Sequence, residues 1–129
     1  MMNTAKNLIL GLLFCLPFTL LAQNGIVGNW TMQIPDDQGN LMSLKVMMKE
    51  NGTYSFDFGA YGTNEIEGKY TIDGNKITIE DTSGPNACPN QKGVYTFVIT
   101  ENTNTMTRVS DPCEGRSGPE GKMVFTRLK

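Results

Sequence analysis

The chain contains no histidine, and this absence limits what its other reactive side chains can do. Ser-His-Asp and Cys-His nucleophilic sites and His-ligated zinc or haem are excluded. Acid–base catalysis would depend on carboxylates such as Asp57, Glu65 or Glu67. These three alternate with apolar residues along the chain, so we expect them to face water. We therefore expect no enzymatic activity, no metal site and no cofactor.

Arg108 is a candidate for recognising a ligand. Side chains two residues apart in a strand point to the same face, so if Met106 points into a core, Arg108 does so as well. A buried guanidinium needs a carboxylate or an anionic ligand as its partner. If Val109 points inward instead, Arg108 is a surface charge in water.

Four more charged residues lie in or beside two long segments rich in glycine and proline: Asp81, Asp111, Glu114 and Arg116. They could recognise a ligand at the surface that these segments form. The alternative is an exposed ion pair at a rim, which contributes only about 0 to 1 kcal/mol.

Residues 1–22 have the layout of a secretory signal peptide. Lys6 is the only charged residue among them, an apolar run from Leu8 to Leu21 follows it, and Ala22 supplies a small residue at the expected cleavage site. A transmembrane helix is the alternative, but the run is shorter than about 20 residues and Pro17 interrupts it. We therefore predict a signal peptide over 1–22, one mature domain over 23–129, no stable membrane span and a secreted or periplasmic location.

Cys88 and Cys113 are the two cysteines that remain after this segment. An even pair in an oxidising compartment predicts a disulfide. Closing a loop of about 25 residues would stabilise the fold by about 3 kcal/mol. A metal site is the alternative, and two isolated cysteines without histidine supply few of the ligands it needs.

The mature region is poor in leucine and alanine and rich in threonine, valine, isoleucine, tyrosine and phenylalanine, a composition that favours strands. Apolar residues recur with a period of two, as Met42, Leu44, Val46 and Met48 do. The predicted strands are 25–34, 41–50, 53–61, 63–72, 76–82, 93–100, 103–110 and 122–128.

The links between these strands differ in length at the two ends of a meander. Asn51-Gly52 and Asp73-Gly74-Asn75 are typical of tight hairpin turns at one end. A tight link near Tyr61-Gly62 is expected at the other end, where the remaining links are long: 35–40, 83–92 and 111–121. Both cysteines lie in these long links, so a meander brings them to the same end.

Eight consecutive antiparallel strands leave two exposed edges unless the sheet closes on itself. We therefore predict an all-β fold, an eight-stranded antiparallel up-and-down meander barrel. Its interior would be filled by side chains or hold one small ligand. A two-sheet sandwich of similar length is the alternative.

Gly28-Asn29-Trp30 in the first strand and Arg127 near the end of the last resemble the pattern of the lipocalins and the wider calycin superfamily. The resemblance implies that Gly28 and Trp30 lie at the closed end of the barrel. It also implies that Arg127 covers the Trp30 ring through a cation–π contact. The stretch 88–116 is similar to that of secreted bacterial lipocalin-like domains with paired cysteines.

The barrel and the resemblance lead us to expect a small lipophilic ligand, bound in the barrel or at its mouth. Its apolar part would lie against inward-facing side chains, and arginine or tyrosine would orient its polar head. The predicted ligand-binding residues are Met42, Leu44, Phe56, Phe58, Tyr70, Tyr95, Phe97 and Arg108.

The same apolar residues could instead fill the barrel completely. The protein would then be an interaction or inhibitor module that uses the loops 83–92 and 111–121. Nucleic acid is not an expected partner, because the 11 Lys and Arg residues are balanced by 13 Asp and Glu residues.

Overall fold

A computed structural model describes residues 25–129 of the chain. The predicted signal peptide, 1–22, lies outside the described residues. Eight antiparallel strands pair in sequence order and close into a barrel, which confirms the predicted fold class. The strands are β1 (Gly28–Pro35), β2 (Leu41–Met48), β3 (Thr53–Phe58), β4 (Ile66–Asp73), β5 (Lys76–Ser83), β6 (Lys92–Thr100), β7 (Thr103–Ser110) and β8 (Lys122–Arg127).

Buried and more exposed residues alternate with a period of two along the strands, and β2 is an example. Leu44, Val46 and Met48 are buried, whereas Lys45 and Met47 between them are only half-buried on the outer face. The register places Val46 between Trp30 of β1 and Phe56 of β3, so apolar side chains meet inside the barrel. Closure then removes the free sheet edges that an open meander would expose.

The end of the barrel with the tight turns is sealed by Trp30 and Arg127. The Arg127 guanidinium carbon lies 4.1 Å from the centroid of the Trp30 ring. Arg127 also donates hydrogen bonds to the carbonyl oxygens of Val27 (3.1 Å) and Gly25 (2.6 Å). The Trp30 indole N–H donates to the carbonyl of Ile26 at 2.9 Å, and Ile26 is fully buried. Residues 25–27 therefore cover this end, and β1 begins at Gly28 and not at the predicted residue 25.

The link between β3 and β4 is longer than the tight turn that the sequence predicted, because β3 ends at Phe58 and β4 begins at Ile66. The Asp57 carboxylate accepts hydrogen bonds from the backbone N–H groups of Tyr61 (3.0 Å) and Gly62 (2.8 Å), which curls the chain into a loop. All four links at this end are therefore long. We call it the long-loop end.

This arrangement corrects the expectation that all three candidate carboxylates face water. Asp57 is buried, with 6% of its surface exposed, because its oxygens cap the loop. Glu65 is half-buried and accepts a hydrogen bond from the backbone N–H of Phe58 at 2.6 Å. Glu67 is exposed, as expected. The carboxylates of Asp57 and Glu65 thus stabilise this loop through hydrogen bonds to its backbone.

Candidate ligand-binding site

A disulfide joins Cys88 to Cys113 and confirms the predicted pairing. It links the β5–β6 loop to the β7–β8 loop at the long-loop end, with the two Cα atoms 6.0 Å apart. The β5–β6 loop folds back over the barrel, since Pro89 forms an isolated bridge with Asp81 of β5. The two longest links of this end therefore form one covalently tied unit.

Beneath the disulfide, Arg116 lies between two carboxylates. Its Nη1 lies 2.8 Å from Asp111 Oδ1, and its Nη2 lies 3.4 Å from Asp81 Oδ2. The side chains of Arg116, Asp81 and Asp111 are 4%, 5% and 0% exposed. The alternative of an exposed ion pair at the rim of the barrel is therefore wrong. The side chains of Arg116, Asp81 and Asp111 are buried inside the barrel. Glu114 is exposed on the loop and does not belong to this buried group.

Two tyrosine hydroxyls complete this buried network. Tyr54 donates to Asp81 Oδ1 and Tyr95 donates to Asp111 Oδ2, each at 2.5 Å. Burial and these hydrogen bonds to carboxylates raise the pKa of Tyr54 and that of Tyr95. Burial acts to lower the pKa of Arg116, but the hydrogen bond with Asp111 and the charges of both carboxylates outweigh it and raise that pKa.

The same two carboxylates hold the backbone of the disulfide. Asp81 accepts a hydrogen bond from the N–H of Cys88 at 2.8 Å, and Asp111 accepts one from the N–H of Cys113 at 2.9 Å. Arg116 Nη2 also donates to the carbonyl of Gln91 at 3.1 Å. The buried network thus fixes both loops to the inner surface of the barrel.

Two glycines make room for this network. A Cβ atom on Gly68 would lie 2.3 Å from the ring of Tyr54, and one on Gly93 would lie 2.4 Å from Asp111 Oδ2. Neither glycine was predicted to have a function. A glycine inside a strand often marks the close approach of another group, and that signal was present in the sequence.

Next to the network lies a cavity of about 250 Å³, which we call the mouth cavity. The disulfide-tied loops cover it, and Asp81 and Arg116 contribute to its wall. Its apolar lining includes Met32, Ile34, Leu44, Phe56, Phe58 and Phe125. The barrel interior nearer the closed end holds only about 30 Å³ of space, beside Trp30 and Ile77. The barrel interior is therefore filled by side chains near the closed end and hollow beneath the loops of the long-loop end.

A second, more open cavity of about 360 Å³ lies beside the mouth cavity. The two share Ile34, Phe58 and Asn86 as lining residues. Its other lining residues include Asp36, Asp37 and Glu65, and we call it the acidic vestibule.

The predicted ligand-binding residues divide among these regions. Leu44, Phe56 and Phe58 line the mouth cavity, and Met42 lines the acidic vestibule. The remaining ones, Tyr70, Tyr95, Phe97 and Arg108, line neither cavity.

Those four residues have structural partners. The Tyr70 hydroxyl donates to the carbonyl of Lys49 at 2.5 Å, and Tyr95 donates to Asp111. Phe97 pairs with Met106 in the core. Arg108 shares the inward face with Met106, but it is half-buried and donates to Ser117 Oγ (3.2 Å) and the carbonyl of Gly118 (3.1 Å). It therefore holds the β7–β8 loop.

Comparison of the chain with protein-family models, with curated proteins and with solved structures found no match. The fold alone therefore indicates the class of protein. It is a closed eight-stranded antiparallel meander, which is compatible with a calycin-like barrel. Within residues 25–129, no helix is long and apolar enough to cross a membrane. The same part of the chain contains no group of three or more cysteine, aspartate or glutamate side chains placed to hold a metal ion.

Proposed function

We propose that the protein binds a small lipophilic molecule in the mouth cavity and catalyses no reaction on it. The observation that carries this proposal is the cavity itself, about 250 Å³ of space with a largely apolar lining inside an otherwise filled barrel. Ligand pockets usually have volumes of about 300–1,000 Å³, so the ligand is small. Leu44, Phe56 and Phe58, three of the predicted ligand-binding residues, line this cavity, which supports the proposal.

The expected affinity follows from the apolar surface that such a ligand buries. A chain of roughly eight methylene groups contributes about 6 kcal/mol at about 0.8 kcal/mol per group. That free energy sets an upper limit to the affinity, a Kd of the order of tens of micromolar, because association also costs translational and rotational freedom.

Titration calorimetry and native mass spectrometry with 1-nonanol test the proposal. Wild-type protein should bind it with a stoichiometry of one. Ile34→Trp should abolish binding, because the larger side chain fills the cavity, which Ile34 lines. Ile72→Trp is the matched control, since Ile72 is also a half-buried residue packed on the core but does not line the cavity. Absence of saturable binding, or equal loss in both variants, would contradict the proposal.

A secreted or periplasmic location is part of this proposal. The Cys88–Cys113 disulfide supports it, because disulfides persist in oxidising compartments. The apolar run and the cleavage site predicted within residues 1–22 point the same way.

A second candidate function is protein recognition by the long-loop end. Tyr61 and Leu41 are 84% and 71% exposed there, and two such side chains could contribute to the contiguous apolar patch that marks an interaction surface. At the same end, the disulfide ties the β5–β6 loop to the β7–β8 loop. A double variant, Tyr61→Ser with Leu41→Ser, should lose a partner captured by wild type while keeping its free energy of unfolding. Retention of the partner would contradict this function.

A further inference from the structure

We propose that the ligand of the mouth cavity is a cationic amphiphile, with its hydrocarbon chain in the cavity and its amine or ammonium head in the acidic vestibule. This inference rests on the proposed function and specifies the chemistry of its ligand. The charges around the two cavities and the ring of Phe58, which lines both, support it.

The acidic vestibule has carboxylates in its wall and, among the residues 25–129, no lysine or arginine lines it. Two of its three acidic side chains are held in position. Glu65 accepts hydrogen bonds from the N–H of Phe58 (2.6 Å) and the hydroxyl of Thr63 (3.0 Å). Asp36 accepts them from the N–H groups of Gln38 and Asn40. A cation placed there meets fixed negative charge.

The wall of the mouth cavity does not favour an anionic head either. Arg116 is the only cationic side chain of the described chain that lines this cavity, and it faces two carboxylates. Its Nη1 is used by Asp111, and its Nη2 by the carbonyl of Gln91 and by Asp81. One guanidinium against two carboxylates leaves an excess of negative charge. A ligand carboxylate would have to compete with Asp81 and Asp111 for this one cation.

Phe58 lies at the junction of the two cavities, because it lines both the mouth cavity and the acidic vestibule. An aromatic ring attracts a cation placed over its face, and the attraction is stronger for a partly desolvated cation. Ile34 and Asn86 line the same junction and supply one apolar and one polar contact. A head group at this junction would lie beside Phe58 and next to the cavity that the carboxylates line.

A series of ligands with one tail and three heads tests the charge preference. Nonylammonium, 1-nonanol and nonanoate are titrated at pH 7 and low ionic strength. Nonylammonium should bind about tenfold more tightly than 1-nonanol, because the vestibule carboxylates attract its ammonium head. Nonanoate should bind most weakly, because the same carboxylates repel its head. Raising the salt concentration should reduce the difference, since salt screens charges in an open vestibule.

A pair of charge reversals tests the position of the head. Asp37→Lys changes an exposed residue of the vestibule, whereas Asp73→Lys makes the same change at the opposite end of the barrel. Asp37→Lys should reduce the preference for nonylammonium over 1-nonanol about fivefold or more. Asp73→Lys should leave that preference unchanged.

The outcomes separate the two proposals. If none of the three ligands binds, the proposed function fails and this inference fails with it. If 1-nonanol binds but nonanoate binds as tightly as nonylammonium, the function stands and the cationic ligand is wrong. The same holds if Asp37→Lys leaves the preference for nonylammonium unchanged.

Discussion

Arg116 and Asp111 form an ion pair of 2.8 Å in which neither side chain is more than 4% exposed. The pair lies inside the barrel, below the disulfide that ties the two loops together. Its members belong to a network that also anchors the amide groups of both cysteines through Asp81 and Asp111. The structure of the covered end of the barrel therefore depends on a few buried polar contacts.

Replacing Arg116 with methionine should lower the free energy of unfolding by about 3–5 kcal/mol, because it leaves buried carboxylates without their cation. Urea denaturation measures the change. Lys69→Met is the control, since Lys69 is largely exposed and its contact with Glu80 is 3.9 Å long. That pair should contribute less than about 1 kcal/mol. Equal effects in the two variants would show that the buried pair is not important for stability.

Tyr95→Phe should destabilise the fold by about 1–3 kcal/mol, because Asp111 Oδ2 loses the hydroxyl that donates to it. Tyr61→Phe makes the same chemical change at a residue that is 84% exposed, so it should have little effect. The free energies of unfolding of the two variants, measured side by side, check this prediction. A stability of Tyr95→Phe equal to that of Tyr61→Phe would contradict it.

Stability should decrease at alkaline pH through Tyr54. Its pKa is raised in the folded protein, chiefly by burial and by its hydrogen bond to Asp81, above the value of about 10 in an unfolded chain. The stabilisation is therefore complete below about pH 10 and is lost as the pH rises further. Urea denaturation from pH 7 to 11 should show this decrease in wild type and a weaker one in Tyr54→Phe. Parallel curves would exclude Tyr54 as the titrating group.

Gly93→Ala should destabilise the protein by about 1–3 kcal/mol, because overpacking forces neighbouring groups to move. The added Cβ would lie 2.4 Å from Asp111 Oδ2 and 2.8 Å from Arg116 Nη1. Gly115→Ala is the control, since a Cβ there meets nothing within 4 Å. Thermal unfolding of both variants distinguishes them, and a Gly93→Ala protein as stable as the control would refute the close approach.

Removing the disulfide with the double variant Cys88→Ala and Cys113→Ala should cost about 3 kcal/mol of stability, because the unfolded chain regains the freedom of an open loop. Wild type under a reducing agent should show the same loss. The double variant should not respond to the reducing agent. A wild-type denaturation curve unchanged by reduction would argue against a stabilising disulfide.

The strands, their order and the cysteine pairing could be predicted from sequence because they depend on local rules. Alternation such as that of Leu44, Val46 and Met48 determines which face of a strand is buried, and Asn-Gly and Asp-Gly pairs determine where hairpins turn. Chain order then places Cys88 and Cys113 at one end of a meander. Even the burial of Asp81 had a local signal, since it follows Ile77 and Ile79 with the same period.

The burial of the network formed by Arg116, Asp81 and Asp111 was decided by the tertiary structure. The strand registers shift between Glu67 and Gly68 and between Val94 and Tyr95, and such irregularities redirect neighbouring side chains. Asp111 and Arg116 belong to a loop, where no periodicity indicates direction. Their burial results from the folding of that loop over the barrel, which the alternation of the strands does not describe.

The division of the interior into a filled base and a hollow mouth was decided in the same way. The sequence by itself determined a barrel wall of apolar side chains, because each strand carries its own alternating pattern. The free space within that wall depends on how side chains from opposite strands meet, and on loops that cover the end without filling it. Those are contacts between residues distant in the chain, so only the folded structure places the mouth cavity beside Leu44, Phe56 and Phe58.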